Sequence, residues 1–226
     1  MSANKFVHVP NGIDPAEWTD GDSEPLPTAH SKAIQMAREQ GHLLVAYTGA
    51  HGIANALDSM LDAAVLMRHE PITWLLVGNG PEKQRLQQRA KAARLDHVFL
   101  LEPVPKAAIP GLLKAMDVLY IGLQSEPLFR FGISPNKLMD YMMAARPVLC
   151  AIAAGNDPVS DANCGLTIEP ENPAALAEAV RKIRNLSLEQ RERMGLSGRA
   201  YVEKNHLYPV LAKNFLQFIK QVEVSA

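Results

Sequence analysis

Between residues 131 and 148 the sequence reads FGISPNKLMDYMMAARPV, an order of residue types able to hold an anion and a polyol together. Ser134 is a good N-cap, and Pro135 suits the first helical position, where its missing N–H costs nothing. Lys137 falls in the first turn of the predicted helix. A cation there opposes the helix dipole at a cost of roughly 0.3–1 kcal/mol. With a phosphate between them, the free N–H groups of that turn and the lysine charge become cooperative. Asp140 follows at i+3 on a neighbouring face, where its carboxylate can accept hydrogen bonds from sugar hydroxyls. The plainer alternative is a capped helix carrying a solvated Lys–Asp pair.

The elements that must position these residues alternate along the chain. Apolar strands are predicted over 43–48, 72–77, 98–101, 118–121, 148–152 and 166–168. Helices are predicted over 29–40, 55–68, 82–94, 109–116, 134–145, 173–185, 188–204 and 209–222, and the one over 82–94 reads as charged and solvated. Short apolar strands alternating with helices indicate a parallel sheet covered on both faces, a Rossmann-like α/β fold. Ligands of such sheets bind outside the carboxyl ends of the strands. The glycine-rich and polar segments 49–52, 78–81, 103–105 and 122–135 all follow strand ends. The first 28 residues stand apart: a lone strand over 6–9, a Pro10-Asn11-Gly12 turn, and a proline-rich, linker-like stretch over 20–28.

Each loop has a bland reading beside a chemical one. In the 48–52 loop, TGAHG, Gly49 and Gly52 let backbone approach a ligand, and the following helix offers N–H groups to a phosphate. His51 could donate to that phosphate or lie exposed. Gly78-Asn79-Gly80-Pro81 could pack against a nucleotide or only turn the chain. The loop around Val104, over 102–105, has backbone groups free to read a planar base, or is a rigid connection. Glu126 and Arg130 face the site or pair on the surface. Arg146 reads as a solvated charge complementing a helix C-terminus, the 189–199 run as a solvated face, and Tyr201, His206 and Tyr208 as packing residues.

Bulk properties narrow the class. The chain has 226 residues, 47% hydrophobic and 21% charged, with a net charge of −1, and its pI near 6.7 gives no general reason to bind nucleic acid. No apolar run approaches the roughly 20 residues of a membrane span, and residues 1–10 lack a signal-peptide core. Cys150 and Cys164 lack metal-ligand spacing and read as buried free thiols, in keeping with a reducing cytoplasm. HExxH, CxxC, GxSxG and Walker motifs are absent, so the sequence supports neither bound-metal nor covalent Ser or Cys catalysis.

Six segments in order then resemble the donor-binding half of family 4 glycosyltransferases, which have the two-domain GT-B fold. They are PNGID at 10–14, YTGAHGIANALDSMLDAA at 47–64, LLVGNGPEKQRLQ at 75–87, AMDVLYIGL at 115–123, GISPNKLMDYMMAARPVL at 132–149 and CGLTIEPENPAALAEAV at 164–180. The fifth is most similar to bacterial N-acetyl-amino-sugar transferases that build surface polysaccharides. The resemblance implies a nucleotide-sugar donor, with UDP-sugar first. Gly49 and Gly52 would cradle its diphosphate, with Lys137 and the backbone N–H groups around Ser134, Pro135 and Asn136 adding charge there, and His51 and Gly78 are expected among the donor-binding residues. Asp140 would bind the ribose and Val104 would meet the base. It implies a retaining transfer to a glycan or lipid-linked acceptor, without cofactor or essential metal, in the cytoplasm or at the inner face of the membrane. Residues 1–28 would be the remnant of an acceptor domain and its linker, and 29–226 the donor domain, inactive alone. Two positions depart from the family's pattern. Gly132 stands where the first acid of an E-x7-E pair is expected, with Glu126 too distant to replace it confidently. The first loop has His51 and Asn55 where the family has Arg and Lys. A non-catalytic nucleotide-binding module and a nucleotide-sugar epimerase of related fold are the competing readings.

Overall fold

The structure, a computed structural model, describes residues 7–18 and 23–224, the last three by backbone alone. Its strands are β1 (Leu43–Thr48), β2 (Ile72–Val77), β3 (Val98–Leu101), β4 (Val118–Gly122), β5 (Val148–Ala151) and β6 (Gly165–Thr167). They form one parallel sheet in the order β3-β2-β1-β4-β5-β6. The helices are α1 (Thr28–Glu39), α2 (Asp58–Leu66), α3 (Lys83–Ala92), α4 (Ile109–Lys114), α5 (Asn136–Met143), α6 (Pro158–Asp161), α7 (Pro173–Arg184), α8 (Leu188–Asn205) and α9 (Tyr208–Val224).

Alternation along the strands feeds two cores. Leu44, Ala46, Leu75, Val77, Leu119 and Ile121 pack on one face with Leu112, Leu138 and Met142. Val45, Tyr47, Trp74, Leu76, Val118 and Tyr120 pack on the other with Met60, Leu86 and Val180. Every residue of β1, β2, β4 and β5 is buried, as in a sheet covered on both sides. The Rossmann-like α/β expectation holds.

The register sets the loops side by side. Thr48 pairs with Val77, and Val77 with Leu101. The segments leaving β1, β2 and β3 therefore emerge together. The chain order reverses between β1 and β4, the place where ligands of such sheets bind.

The N-terminal segment is tied to this domain where the structure describes it. Ile13 and Trp18 join the first core. Ile13 N–H donates to the His206 carbonyl, and Tyr208 N–H to that of Ile13. Residues 7–10 have no regular secondary structure, so the strand expected over 6–9 is not seen for them, while Phe6 lies outside the described residues, as do residues 20–22 of the expected linker. Residue 28 of that linker opens α1.

The glycine loops interlock backbone to backbone. Gly49 N–H donates to the Val77 carbonyl at 2.9 Å, His51 N–H to Asn79 at 2.8 Å, and Glu82 N–H to His51 at 2.9 Å. A Cβ on Gly78, whose φ is +152°, would stand 1.8 Å from the Gly49 carbonyl oxygen. Gly78→Ala is therefore expected to lower stability by about 2–4 kcal/mol. Gly41→Ala, at φ +69° but in open space, is expected to cost only about 1 kcal/mol. Urea unfolding midpoints of the two variants check the contrast.

Candidate functional site

A crevice of 440 Å³ opens at the carboxyl ends of β1, β2 and β3. Gly49, Gly78, Val104, Lys137 and Asp140 all line it, together with Thr48 and Ile109. These five come from four separated segments of the chain, and the sequence points to each of them for the same ligand. The volume suits a small-molecule ligand.

Helix α5 is anchored to the end of β1. The Tyr141 hydroxyl accepts from Thr48 N–H at 2.8 Å and donates to the Thr48 carbonyl at 3.2 Å. Lys137 lies one turn earlier on the same face as Tyr141, and Asp140 immediately precedes it. The start of the helix differs from the expected cap. Pro135, not Ser134, occupies the N-cap position, no side chain caps the helix, and the first helical residue is the exposed Asn136. The Ser134 hydroxyl instead accepts from Asn11 N–H at 3.1 Å, and the Ser134 carbonyl from Asn11 Nδ2 at 2.5 Å. The PNGID segment thus claims Ser134 and fixes where the helix begins. Ser134 and Pro135 line a different surface cavity, beside Tyr201 and His206.

The Lys137 ammonium donates to the Tyr47 hydroxyl at 2.8 Å and to Asn55 Oδ1 at 3.2 Å. It sits 4.3 Å from the Tyr47 ring centroid. A Cβ on Gly49 would stand 2.8 Å from Nζ. The glycine is therefore needed for the lysine's approach. Among the described residues no carboxylate pairs with Lys137, and burial lowers its pKa to about 8. Burial, then the Glu17 charge, raises the Asp140 pKa to about 6, against the opposing pull of Lys106. Among the described residues, the crevice thus holds a cation and an anion, neither neutralised by a bonded partner.

His51 and Gly52 lie off the crevice. His51 is 0% exposed, and neither ring nitrogen has a hydrogen-bond partner. Burial, then the Lys83 charge, lowers its pKa to about 4, so the ring is neutral. It packs behind the loops rather than facing a ligand or solvent. Gly52 lines a separate depression with Asp58, Glu82 and Arg85. The main chain of Glu102, next to Val104, is fixed by the His30 ring, which bonds the Glu102 carbonyl at 2.8 Å.

Sequence reasoning missed Lys83. Helix α3 was expected to be solvated, yet Lys83 is only 6% exposed. Its ammonium donates to the Gly78 carbonyl at 2.8 Å and to Leu101 at 3.1 Å, and pairs with Glu102 at 2.7 Å. It pins the ends of β2 and β3 beneath the crevice. The available signal was a lysine two residues after a glycine-proline turn, which no periodicity distinguishes from its charged neighbours. Three smaller expectations also change. Arg146 is half-buried and donates to the Lys114 carbonyl rather than being solvated. Arg130 stacks 4.5 Å over the Phe131 ring. Tyr208 is exposed, whereas His206 is buried. Cys150 and Cys164 are buried free thiols, as expected.

A parallel sheet with a glycine-lined crevice at its strand ends defines a Rossmann-like α/β domain. The chain belongs to the family of glycosyl transferases group 1, whose model matches residues 42–185. It is 26% identical over 189 residues to an Escherichia coli (strain K12) protein named for colanic acid biosynthesis glycosyl transfer, WcaI, covering 80% of this chain and 44% of that one. Among solved structures it is similar to a glycosyltransferase from Rickettsia africae, with a TM-score of 0.76 at 12% identity over 100% of this chain and 59% of the other. It is also similar to Anabaena HepE, solved in complex with UDP and glucose, with a TM-score of 0.71 at 18% identity over 93% and 55%. The chain spans about half the length of these relatives.

The uncompensated charges have a stability cost with a defined pH signature. Lys137 has a folded pKa near 8 against 10.5 for the free side chain, so the folded state binds that proton less tightly than the unfolded one. Its penalty is full below pH 8 and is relieved as pH rises toward 10.5. Asp140 has a folded pKa near 6 against 3.8. Its folded form binds the proton more tightly, and that advantage is lost as pH rises from 3.8 to 6. Lys137→Met and Asp140→Asn are each expected to stabilise the ligand-free protein at pH 7 by about 1–2 kcal/mol. Differential scanning calorimetry across pH checks both: the Lys137→Met gain fades above pH 9, and the Asp140→Asn gain fades below pH 5.

Proposed function

We propose that this chain is the donor-binding half of a retaining glycosyltransferase that takes its sugar from a nucleotide-sugar, UDP-sugar first. The observation that carries the reading is the meeting of Lys137, Asp140, Gly49, Gly78 and Val104 on one crevice. The diphosphate would lie against Gly49 and the Lys137 ammonium. The ribose hydroxyls would donate to Asp140, and the base would reach the main chain at Val104. As the bond from the sugar's anomeric carbon to the diphosphate breaks, negative charge gathers on the leaving oxygen. A cation already in place stabilises it without reorganisation.

The HepE complex supports UDP as the nucleotide, and WcaI supports a role in building surface polysaccharide. The acceptor, a glycan or a lipid-linked sugar, would be held by a further domain, since transfer needs both substrates oriented in one cleft. The 226-residue chain is then expected to bind donor yet transfer nothing alone. On this reading the reaction runs in the cytoplasm, at the inner face of the membrane for a lipid-linked acceptor. Among the described residues no helix is long and apolar enough to cross a membrane. No metal takes part in the proposed donor binding.

Isothermal titration of UDP into the protein tests the reading. UDP is expected to bind with equal affinity in EDTA and in magnesium. Asp140→Ala is expected to weaken it about ten-fold, as loss of a hydrogen bond to a charged group does. Unchanged affinity in Asp140→Ala, or no binding by the wild-type chain, contradicts the assignment.

A further inference from the structure

The position of Lys137 over Gly49 is set by two neutral side chains. Tyr47, buried in β1, accepts from the ammonium at 2.8 Å and donates its own proton to the Ala50 carbonyl at 2.7 Å. Asn55 ends the 3-10 turn Ile53–Asn55. Its Oδ1 accepts from the ammonium at 3.2 Å, and its Nδ2 donates to the same Ala50 carbonyl at 3.0 Å. Ammonium, phenol, carbonyl and amide close a ring of hydrogen bonds around the first loop. Its polarity is fixed, because an ammonium only donates and a carbonyl only accepts. The phenol must turn its proton to Ala50, and the amide must turn its oxygen to Lys137.

Two features of this ring bear on binding. An ammonium has three donors; Tyr47 and Asn55 take two, on a lysine that lines the crevice. Neither partner is anionic, so the charge is held in place without being cancelled. An aspartate at either position would hold the lysine as well and neutralise it.

We propose that Tyr47 and Asn55 are positioning residues that hold the Lys137 ammonium, still charged and with a donor to spare, where the diphosphate of the sugar donor is received. This rests on the reading of the crevice as a nucleotide-sugar site. The loop after β1 then contributes to phosphate binding by aiming a lysine that belongs to α5. It also explains Gly49 in a second way, since any side chain there would displace the ammonium.

The test titrates UDP, with uridine as the phosphate-free control, into wild type, Lys137→Ala, Tyr47→Phe, Asn55→Ala and Asn55→Asp between pH 6.5 and 9.5. Of the described titratable groups, Tyr47, which bonds Lys137, is kept protonated by burial, His51 is kept neutral by burial, and Asp140, which lines the same crevice, titrates near 6. A fall in UDP affinity centred near pH 8 therefore reports Lys137. Tyr47→Phe and Asn55→Ala are expected to weaken UDP roughly three- to ten-fold while leaving uridine unchanged. Tyr47→Phe moves the alkaline midpoint down, because an acceptor for the ammonium is lost. Asn55→Asp moves it up and weakens UDP at neutral pH, because the new carboxylate stabilises the ammonium and repels the diphosphate. Asn55 lies on a surface turn, so its variants report even if Tyr47→Phe loses stability. If Lys137→Ala weakens UDP but the Tyr47 and Asn55 variants match wild type in affinity and midpoint, the positioning role is wrong and the donor site stands. If Lys137→Ala leaves UDP binding unchanged, the donor site itself is misassigned.

Discussion

The organisation at the strand ends depends on one constraint: a lysine and an aspartate three residues apart on α5 are both partly withdrawn from water, and among the described residues neither has a bonded charge partner. Their pKa values move toward the neutral forms, down for Lys137 and up for Asp140, as desolvation requires. A sequence selected for stability alone would pair them or replace them. The surrounding structure instead keeps them in place. Tyr141 bonds α5 to the last residue of β1, and Asn11 bonds the start of α5 to the PNGID segment. The free energy withheld from folding is available to a ligand that brings an anion to one residue and hydroxyl donors to the other.

The glycine loops make this possible by removing side chains where backbones must touch. Gly78 and Gly80 press against the carbonyls of Gly49 and His51, so the first two loops form a single rigid layer. Lys83 closes that layer from beneath by bonding the ends of β2 and β3. A buried, uncharged His51 sits behind it. The rigid layer gives the crevice a wall that is already shaped before a ligand arrives, which lowers the cost of ordering on binding.

The fold was legible in the sequence because its strands are continuous apolar runs bounded by glycine and polar turns. The bounds of β1, β2 and β3 agree to the residue. Four-residue α6 was not seen, since a single turn has no periodicity to read. The crevice-lining residues were legible at Gly49, Gly78, Val104, Lys137 and Asp140, which all follow strand ends or start the helix beside them. Ser134 misled because a serine before a proline is a good cap in isolation, and the competing donor, Asn11, lies 123 residues away. His51 and Lys83 misled for the same reason. Their burial is decided by packing between loops that local pattern does not encode, and the organising roles of Tyr47 and Asn55 rest on a ring of contacts that only the folded chain brings together.

The central claim is that the Lys137 ammonium, held by Tyr47 and Asn55 without a neutralising partner, receives the diphosphate. Its most direct test is the proton balance of UDP binding at pH 8.5, read from titration enthalpies in buffers of different ionisation heat. With a ligand-free pKa near 8, the lysine must recover its proton when the diphosphate arrives. Net uptake of a substantial fraction of a proton per UDP bound is expected, disappearing in Lys137→Ala. Zero uptake at that pH, or uptake that persists unchanged in Lys137→Ala, would contradict it.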